Sequence, residues 1–529
     1  MPSMTTTTST PMPTPTTRLT PVKATLLAAS LAASADLARL RVLIGQHPAV
    51  FTPETVLRVL LVVPETTAPA AYTPLLEAIL TGEPMGAGDA GVQLDTSSVA
   101  TLPEKKAKRQ LRLLPALPPL QRPPSNSCDA VTGTDTNTDT NPNTATDTGK
   151  AKTKNTGPDA NAGTTHEELV AAFLTARAEL IDVETGALSI AVELLQAFSA
   201  VLPAVRQLLV GSAQPLHKLV YDFVREPAPT LGAFRGLPVD EALEVLIADP
   251  DTVVRDLQEL AEPYLSVRDA HEWAHVWARL SALPFARLVA VLNEWTPPAD
   301  VRADWARWAM RVCYRCSETD PDSPAWPGMR LVGSRIAELL PSPVPAPEDG
   351  LPARVGDLAD GENPLVVPSR AALGLLDAVI TSSALLGRTM AETLRIQLEG
   401  TSDIQHAVLR EFVRPGPDRS ARDDAGWRQI RSSARWLQRS GALPKLTAED
   451  VERAVLAGML EGTRFGLARE TYAHPSSGPL PPAEVEECVL AAFHGFVDNA
   501  TNGNKTRGQM KHALQTYISC RPRPPSLPD

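Results

Sequence analysis

The sequence predicts an all-α fold, an elongated, α-solenoid-like array of helical hairpins with a disordered N-terminus and disordered insertions. Three observations predict it. Ala and Leu dominate while aromatic residues make up only 5% of the chain, a balance that favours helix over sheet. Apolar residues return at helical spacing from Thr165 to about Thr516, and no run of alternating β-branched residues demands a strand. The 50 prolines cluster in the connections between these periodic stretches, as expected of many short helices with tight breaks.

Residues 1–19 are Thr/Pro-rich and read as disordered. A first helical part spans 20–81. Thr20-Pro21 offers an N-cap followed by proline in the first turn, where its fixed φ suits a helix start. Leu26, Leu27, Leu31, Leu37 and Leu40 follow. Thr52-Pro53-Glu54 repeats the signal, and Val56, Leu57, Leu60 and Leu61 give one apolar face. That helix stops before Pro64, and Tyr72 to Leu80 makes another short one.

Residues 82–164 differ in composition. Ten of the 27 residues from Val131 to Gly157 are Thr and none is aromatic. Such a stretch buries too little apolar surface to offset its ordering entropy. It reads as a low-complexity, mostly disordered insertion with a short helix near Lys105–Leu114. Order resumes with the capping box Thr165-x-x-Glu168. The main helical part, 165–520, carries helical patterns at Leu169–Ile181, Leu188–Leu209, Val239–Leu246, Val253–Leu260, Ala274–Leu280, Ala286–Val291 and Arg370–Leu386. Breaks or kinks fall at Pro203, Pro215, Pro227, Pro229, Pro238, Pro263 and Pro284. Irregular stretches span Pro341–Pro368 and Pro415–Asp424, and residues 521–529 read as a disordered tail.

The net charge of −11 argues against general nucleic-acid binding, which needs excess cations to displace counterions. One basic run exists, Lys105, Lys106, Lys108, Arg109 and Arg112. It is either a solvated linker or a patch for nuclear import or anionic lipid. Five cysteines in 529 residues suggest a reducing compartment. No apolar run reaches the roughly 18–20 residues of a membrane span, and the Thr-rich start has no secretory h-region. The composition therefore points to a cytoplasmic protein.

Several motifs resemble chemistry. His271-Glu272-Trp273-Ala274-His275 places two imidazoles at i and i+4, and Glu294 follows after a further 18 residues. On one helix such a pair can share Zn²⁺ with Glu272 as general base, and the spacing to Glu294 resembles the third ligand of zinc aminopeptidases. Against this, there is no upstream Gly-x-Met-Glu-Asn motif, Arg279-Leu280 stands where Gly-Asn normally follows, and the strands of such catalytic domains are missing from the pattern. The competing reading is a His pair on a solvated or partner-facing helix, with Trp273 and Trp277 packing on the other side. Gly86-x-Gly88-x-x-Gly91 matches a dinucleotide fingerprint by letter but lacks the strand–turn–helix context. Cys313-x-x-Cys316 lacks a second pair or a βαβ setting, so buried helical cysteines are the plainer reading. Asn499-Ala-Thr and Asn504-Lys-Thr are glycosylation sequons without an entry signal. No catalytic, cofactor or metal residue is therefore assigned, and no cofactor is expected.

The most informative stretch is Ala483–Gln515. Val485, Val489, Leu490, Phe493 and Val497 fall on one helical stripe, Asn499–Gly508 is a polar break, and Met510 and Leu514 restart the period. Its wording closely resembles the fungal Sec-thirty-nine (Sec39) family, large helical subunits of the Dsl vesicle-tethering complex. Three further segments resemble that family in the same order: residues 20–79, 363–388 and 460–473. The Pro64-Glu65-Thr66 phrase and the Asn499–Gly508 phrase are the most specific. The resemblance implies a non-enzymatic tether subunit that is peripheral on the endoplasmic reticulum membrane and acts in Golgi-to-ER retrograde transport. Its implied partners are the other Dsl subunits, an endoplasmic-reticulum SNARE and, indirectly, coatomer-coated vesicles, with no nucleic acid and no small-molecule substrate. Family members usually continue beyond the hairpin, whereas this chain stops shortly after it.

Overall fold

The computed structural model describes residues 19–85, 92–117, 165–340, 351–414 except 353, 359 and 361, 423–472, and 478–520 except 502. Expectations for residues 1–18, 118–164 and 521–529, for Cys128 and for the Gly86–Gly91 motif lie outside these. Among the described residues the structure is helical and contains no strand. Many helices pack with their neighbours along the chain: His166–Thr185 with Leu188–Phe198, Ala325–Leu339 with Arg370–Leu386, and Pro482–Asp498 with Gly508–Cys520. No single described helix is long and apolar enough to cross a membrane.

The chain divides into two compact units, Met1–Ala248 with Gln258–Asp269, and Asp249–Leu257 with Ala270–Asp529. Residues on either side of the Thr-rich insertion therefore share the first unit. In the second, one large apolar core gathers Leu409, Val413, Trp427, Leu437, Val455 and Met459. A Cβ at Gly458 would stand 2.4 Å from Val413 Cγ1 and 3.1 Å from the Trp427 ring, so the absence of a side chain there lets these groups close up.

Local chemistry sets the helix starts. Thr20 and Thr52 are N-caps with proline following, and Thr52 Oγ1 accepts from the Thr55 amide at 3.3 Å. Reciprocal capping boxes form at Thr165/Glu168, Thr389/Glu392 and Thr447/Asp450, each satisfying two amides that no helical carbonyl can reach. Val56, Leu57, Leu60 and Leu61 are all buried.

Two helical stretches carry a wide turn, the first of them after the break expected at Pro203. Leu188–Leu209 is instead Leu188–Phe198, Pro203–Leu208 and a wide π-helical turn at Leu209–Ala213, which runs into Gln214–Tyr221. Val253–Leu260 is likewise Val253–Asp256 followed by a second wide turn, Leu257–Ala261, and then Glu262–Leu265. In both, proline is the second residue after the wide turn, Pro215 and Pro263. Proline has no N–H and its ring clashes with the carbonyl four residues back, and widening the turn relieves that clash. The freed carbonyl of Gly211 accepts instead from Arg268 Nη1 at 3.3 Å, while the Arg268 guanidinium lies 3.7 Å from the Tyr264 ring centroid. A Cβ at Gly211 would meet Val267 Cγ2 at 2.4 Å.

Within 82–164, the short helix expected near Lys105–Leu114 is present as Glu104–Leu111. Ser97–Ala100 and Glu104–Leu111 are helical, and both pack on Pro21–Ala33 through buried Val99 and Ala107.

Candidate functional site

The zinc motif does not assemble. Ala270–Glu272 is a 3-10 turn and the α-helix begins only at Trp273, so the two imidazoles straddle a change of pitch. His271, His275 and Glu294 are all exposed, and one carboxylate oxygen of Glu272 is shut off from solvent. Among the described residues no group of three or more His, Cys, Asp or Glu is placed to hold a metal ion. The motif's buried residue is Trp273, and Trp277 is buried one turn on. Trp273 and Trp277 stack 5.8 Å apart, Trp295 lies 6.0 Å from Trp273, and Trp308 lies 5.2 Å from Trp277. Trp308 donates to Ser281 Oγ at 2.9 Å. These four rings join three successive helical segments.

Cys313 and Cys316 are both buried free thiols. Burial, reinforced by Cys316, pushes the Cys313 thiol up to about 12, and burial also raises Cys316. Thiols held neutral in this way are poor nucleophiles and poor metal ligands at neutral pH. Asn499 and Asn504 of the two sequons lie in the exposed loop after Pro482–Asp498.

The polar groups that do converge build the scaffold, and each junction has one partner in a segment that carries the family resemblance: Val63 and Pro64, Asn363, and Tyr472. Arg177 is fully buried. It donates to the carbonyls of Val63 at 2.6 Å and Pro64 at 2.8 Å, and Glu65 lies 3.5 Å away. One guanidinium fork thus fixes the Pro64-Glu65-Thr66 phrase onto the helix that follows the insertion. Buried Asn363 donates to the carbonyls of Val355 and Asp357 at 2.9 and 3.0 Å and accepts from the Leu365 amide. This folds the loop ahead of Arg370–Leu386.

Glu452 is the third such group. Its buried carboxylate accepts from Arg431 at 2.9 Å, from Arg435, and from the Tyr472 hydroxyl at 2.7 Å. Burial and the facing carboxylate raise the Tyr472 phenol well above its usual range, so it stays a donor. Asp424–Arg439, Ala448–Glu461 and Phe465–Tyr472 meet at this one acceptor. Arg453 extends the linkage to Glu484 at 2.8 Å on Pro482–Asp498. Neither Arg177 nor Glu452 was singled out from the sequence. The signal was present, because each charge sits on an apolar stripe: Arg177 among Phe173, Leu174 and Ile181, and Glu452 among Val451, Val455 and Leu456.

The C-terminal hairpin forms as expected, with a shifted face. Val485, Cys488, Val489, Ala492 and Phe496 pack on the core, whereas Leu490 turns outward. Phe496 packs near Phe465 and His512, while Phe493 meets Tyr517 at 5.8 Å. Within the loop phrase, Asn504 Oδ1 accepts from the Thr506 amide and hydroxyl at 3.0 and 2.8 Å, a local turn that Asn supplies.

No curated protein matches the chain. The family described as secretory pathway protein Sec39 matches residues 25–523, almost the whole sequence, and so takes in the Arg177, Asn363 and Glu452 junctions alike. The chain belongs to the Sec39 family of secretory pathway proteins.

Proposed function

We propose that the chain is a non-enzymatic subunit of an endoplasmic-reticulum vesicle-tethering complex acting in Golgi-to-ER retrograde transport. It scaffolds the other Dsl tether subunits and an endoplasmic-reticulum SNARE. It works from the cytoplasmic face, peripheral on the membrane, and contacts coatomer-coated vesicles indirectly. The observation that carries the reading is the family match across residues 25–523, which brings a secretory-pathway role. The build supports it. The buried polar side chains described above tie helices and loops together, which stiffens the helix array and leaves outer helix faces for partners.

The test is a pull-down of the tagged chain from its native cells, with mass spectrometry of the partners and zinc quantified in the same eluate. Tether and SNARE subunits without zinc are expected. Stoichiometric zinc with no trafficking partner would overturn the reading and direct attention to peptidase assays on His271→Ala.

A further inference from the structure

The helix Glu104–Leu111 and its C-cap carry Lys105, Lys106, Lys108, Arg109 and Arg112, in a chain whose net charge is −11. All five cations are exposed, and Ala107 is the one residue of the helix that is buried. At about 100° per residue the five cations fall within an arc of roughly 160° centred opposite Ala107. The only acid in this helix is Glu104, 3.9 Å from Lys108 in a solvent-exposed pair, too open to neutralise the face.

This face is held in place. Ala107 seats the helix on Pro21–Ala33. Lys23 Nζ donates to the Ala100 carbonyl at 2.7 Å before the helix, and Arg58 Nε donates to the Pro115 carbonyl at 3.1 Å after it. A linker that merely solvates its charges needs no such ties. Beside Arg112, Leu113 is 84% exposed, the most exposed large apolar side chain among the described residues.

We propose that Lys105–Leu113 docks the chain on the anionic surface of a lipid bilayer. A convex basic face beside a projecting leucine matches the headgroup–acyl boundary, where cations meet lipid phosphates and the apolar side chain enters below them. An extended or helical peptide would instead be held along a groove or a sheet edge, whereas this basic face is the outer face of one helix. Near an anionic leaflet each cation multiplies binding about fivefold, so five together give measurable adsorption that falls with salt. The proposal deepens the trafficking reading. Its test uses purified protein and lipid alone, so either can fail without the other.

The 529-residue chain is floated with phosphatidylcholine vesicles, with and without about one-third phosphatidylserine, at low and high salt. Binding only to the anionic vesicles, reduced by salt, is expected. The variant Lys105→Gln/Lys108→Gln/Arg109→Gln/Arg112→Gln keeps exposed positions and helix formers, and circular dichroism confirms its fold. It should bind more than tenfold more weakly, and Leu113→Ser should weaken binding several-fold at unchanged charge. No binding to the anionic vesicles, or undiminished binding by the quadruple variant, overturns the proposal. Capture of a poly-glutamate peptide without vesicle binding overturns it in favour of an acidic protein segment.

Discussion

The hydroxyl of Tyr472 donates to the buried carboxylate of Glu452 at 2.7 Å, across 20 residues of sequence. Two arginines reach the same carboxylate from a third helix. Removing one member of a buried charged group costs more than the group contributes as a whole, because the remaining members lose their partner. Arg431 and Arg435 are partly exposed, which moderates the effect. Glu452→Gln should destabilise the second unit by about 2–3 kcal/mol, and Tyr472→Phe by about 1 kcal/mol. Urea unfolding of both variants measures this, and an unchanged midpoint for Glu452→Gln would remove the carboxylate from its place as a junction.

Arg177 makes two backbone bonds with a planar fork that lysine lacks. Arg177→Met should cost about 3 kcal/mol by leaving the Val63 and Pro64 carbonyls unpaired, and Arg177→Lys should recover less than half of it. Hydrogen exchange of residues 61–72 should rise in both variants. Full rescue by lysine would show that charge alone, and not the fork, holds the loop.

The tryptophan cluster separates the structural reading of the HExxH segment from the zinc reading. Trp295→Ala should cost about 3–5 kcal/mol and weaken the near-ultraviolet circular dichroism of the stacked rings. His271→Ala should stay within about 0.5 kcal/mol and leave any trace metal content unchanged. A large loss of stability or of bound zinc in His271→Ala would reverse this assignment.

The Cys313 thiol is raised from 9.0 to about 12 by burial, with Cys316 adding to it. The folded chain therefore keeps a proton that the unfolded chain loses above pH 9. Its contribution to stability is fully present below pH 9 and is lost as the pH rises towards 12. The expected result is that Cys313 resists iodoacetamide at about pH 8 in the native protein and is labelled in urea. Rapid native labelling would contradict its burial.

Much of the fold could be read from sequence because helix starts are local events. Thr20-Pro21, Thr52-Pro53 and Thr165-x-x-Glu168 announce themselves within four residues, and Val239–Leu246 and Arg370–Leu386 begin and end where the apolar period does. The junctions were harder. Arg177 and Val63 are 114 residues apart, and periodicity reports a face without naming what lies against it. The hairpin shows the same limit. Leu490 shares a rough stripe with Val489, yet Phe496 takes the inner place because Phe465 and His512 stand opposite it. For the zinc letters, the better guide was the spacing of Trp273 and Trp277, which marks the buried side and leaves both imidazoles outside.

The wide turns at Leu209–Ala213 and Leu257–Ala261 each hold one residue more than a regular helix would need over the same rise. Elsewhere in this chain, deleting a single residue from a helix would rotate everything after it by about 100° and turn buried leucines to water. In either wide turn, a deletion paired with replacement of Pro215 or Pro263 can be absorbed by tightening the turn, and the downstream side chains keep their faces. Among the described residues, the helices therefore hold two places where a one-residue change of length need not scramble the packing register, and a proline follows each.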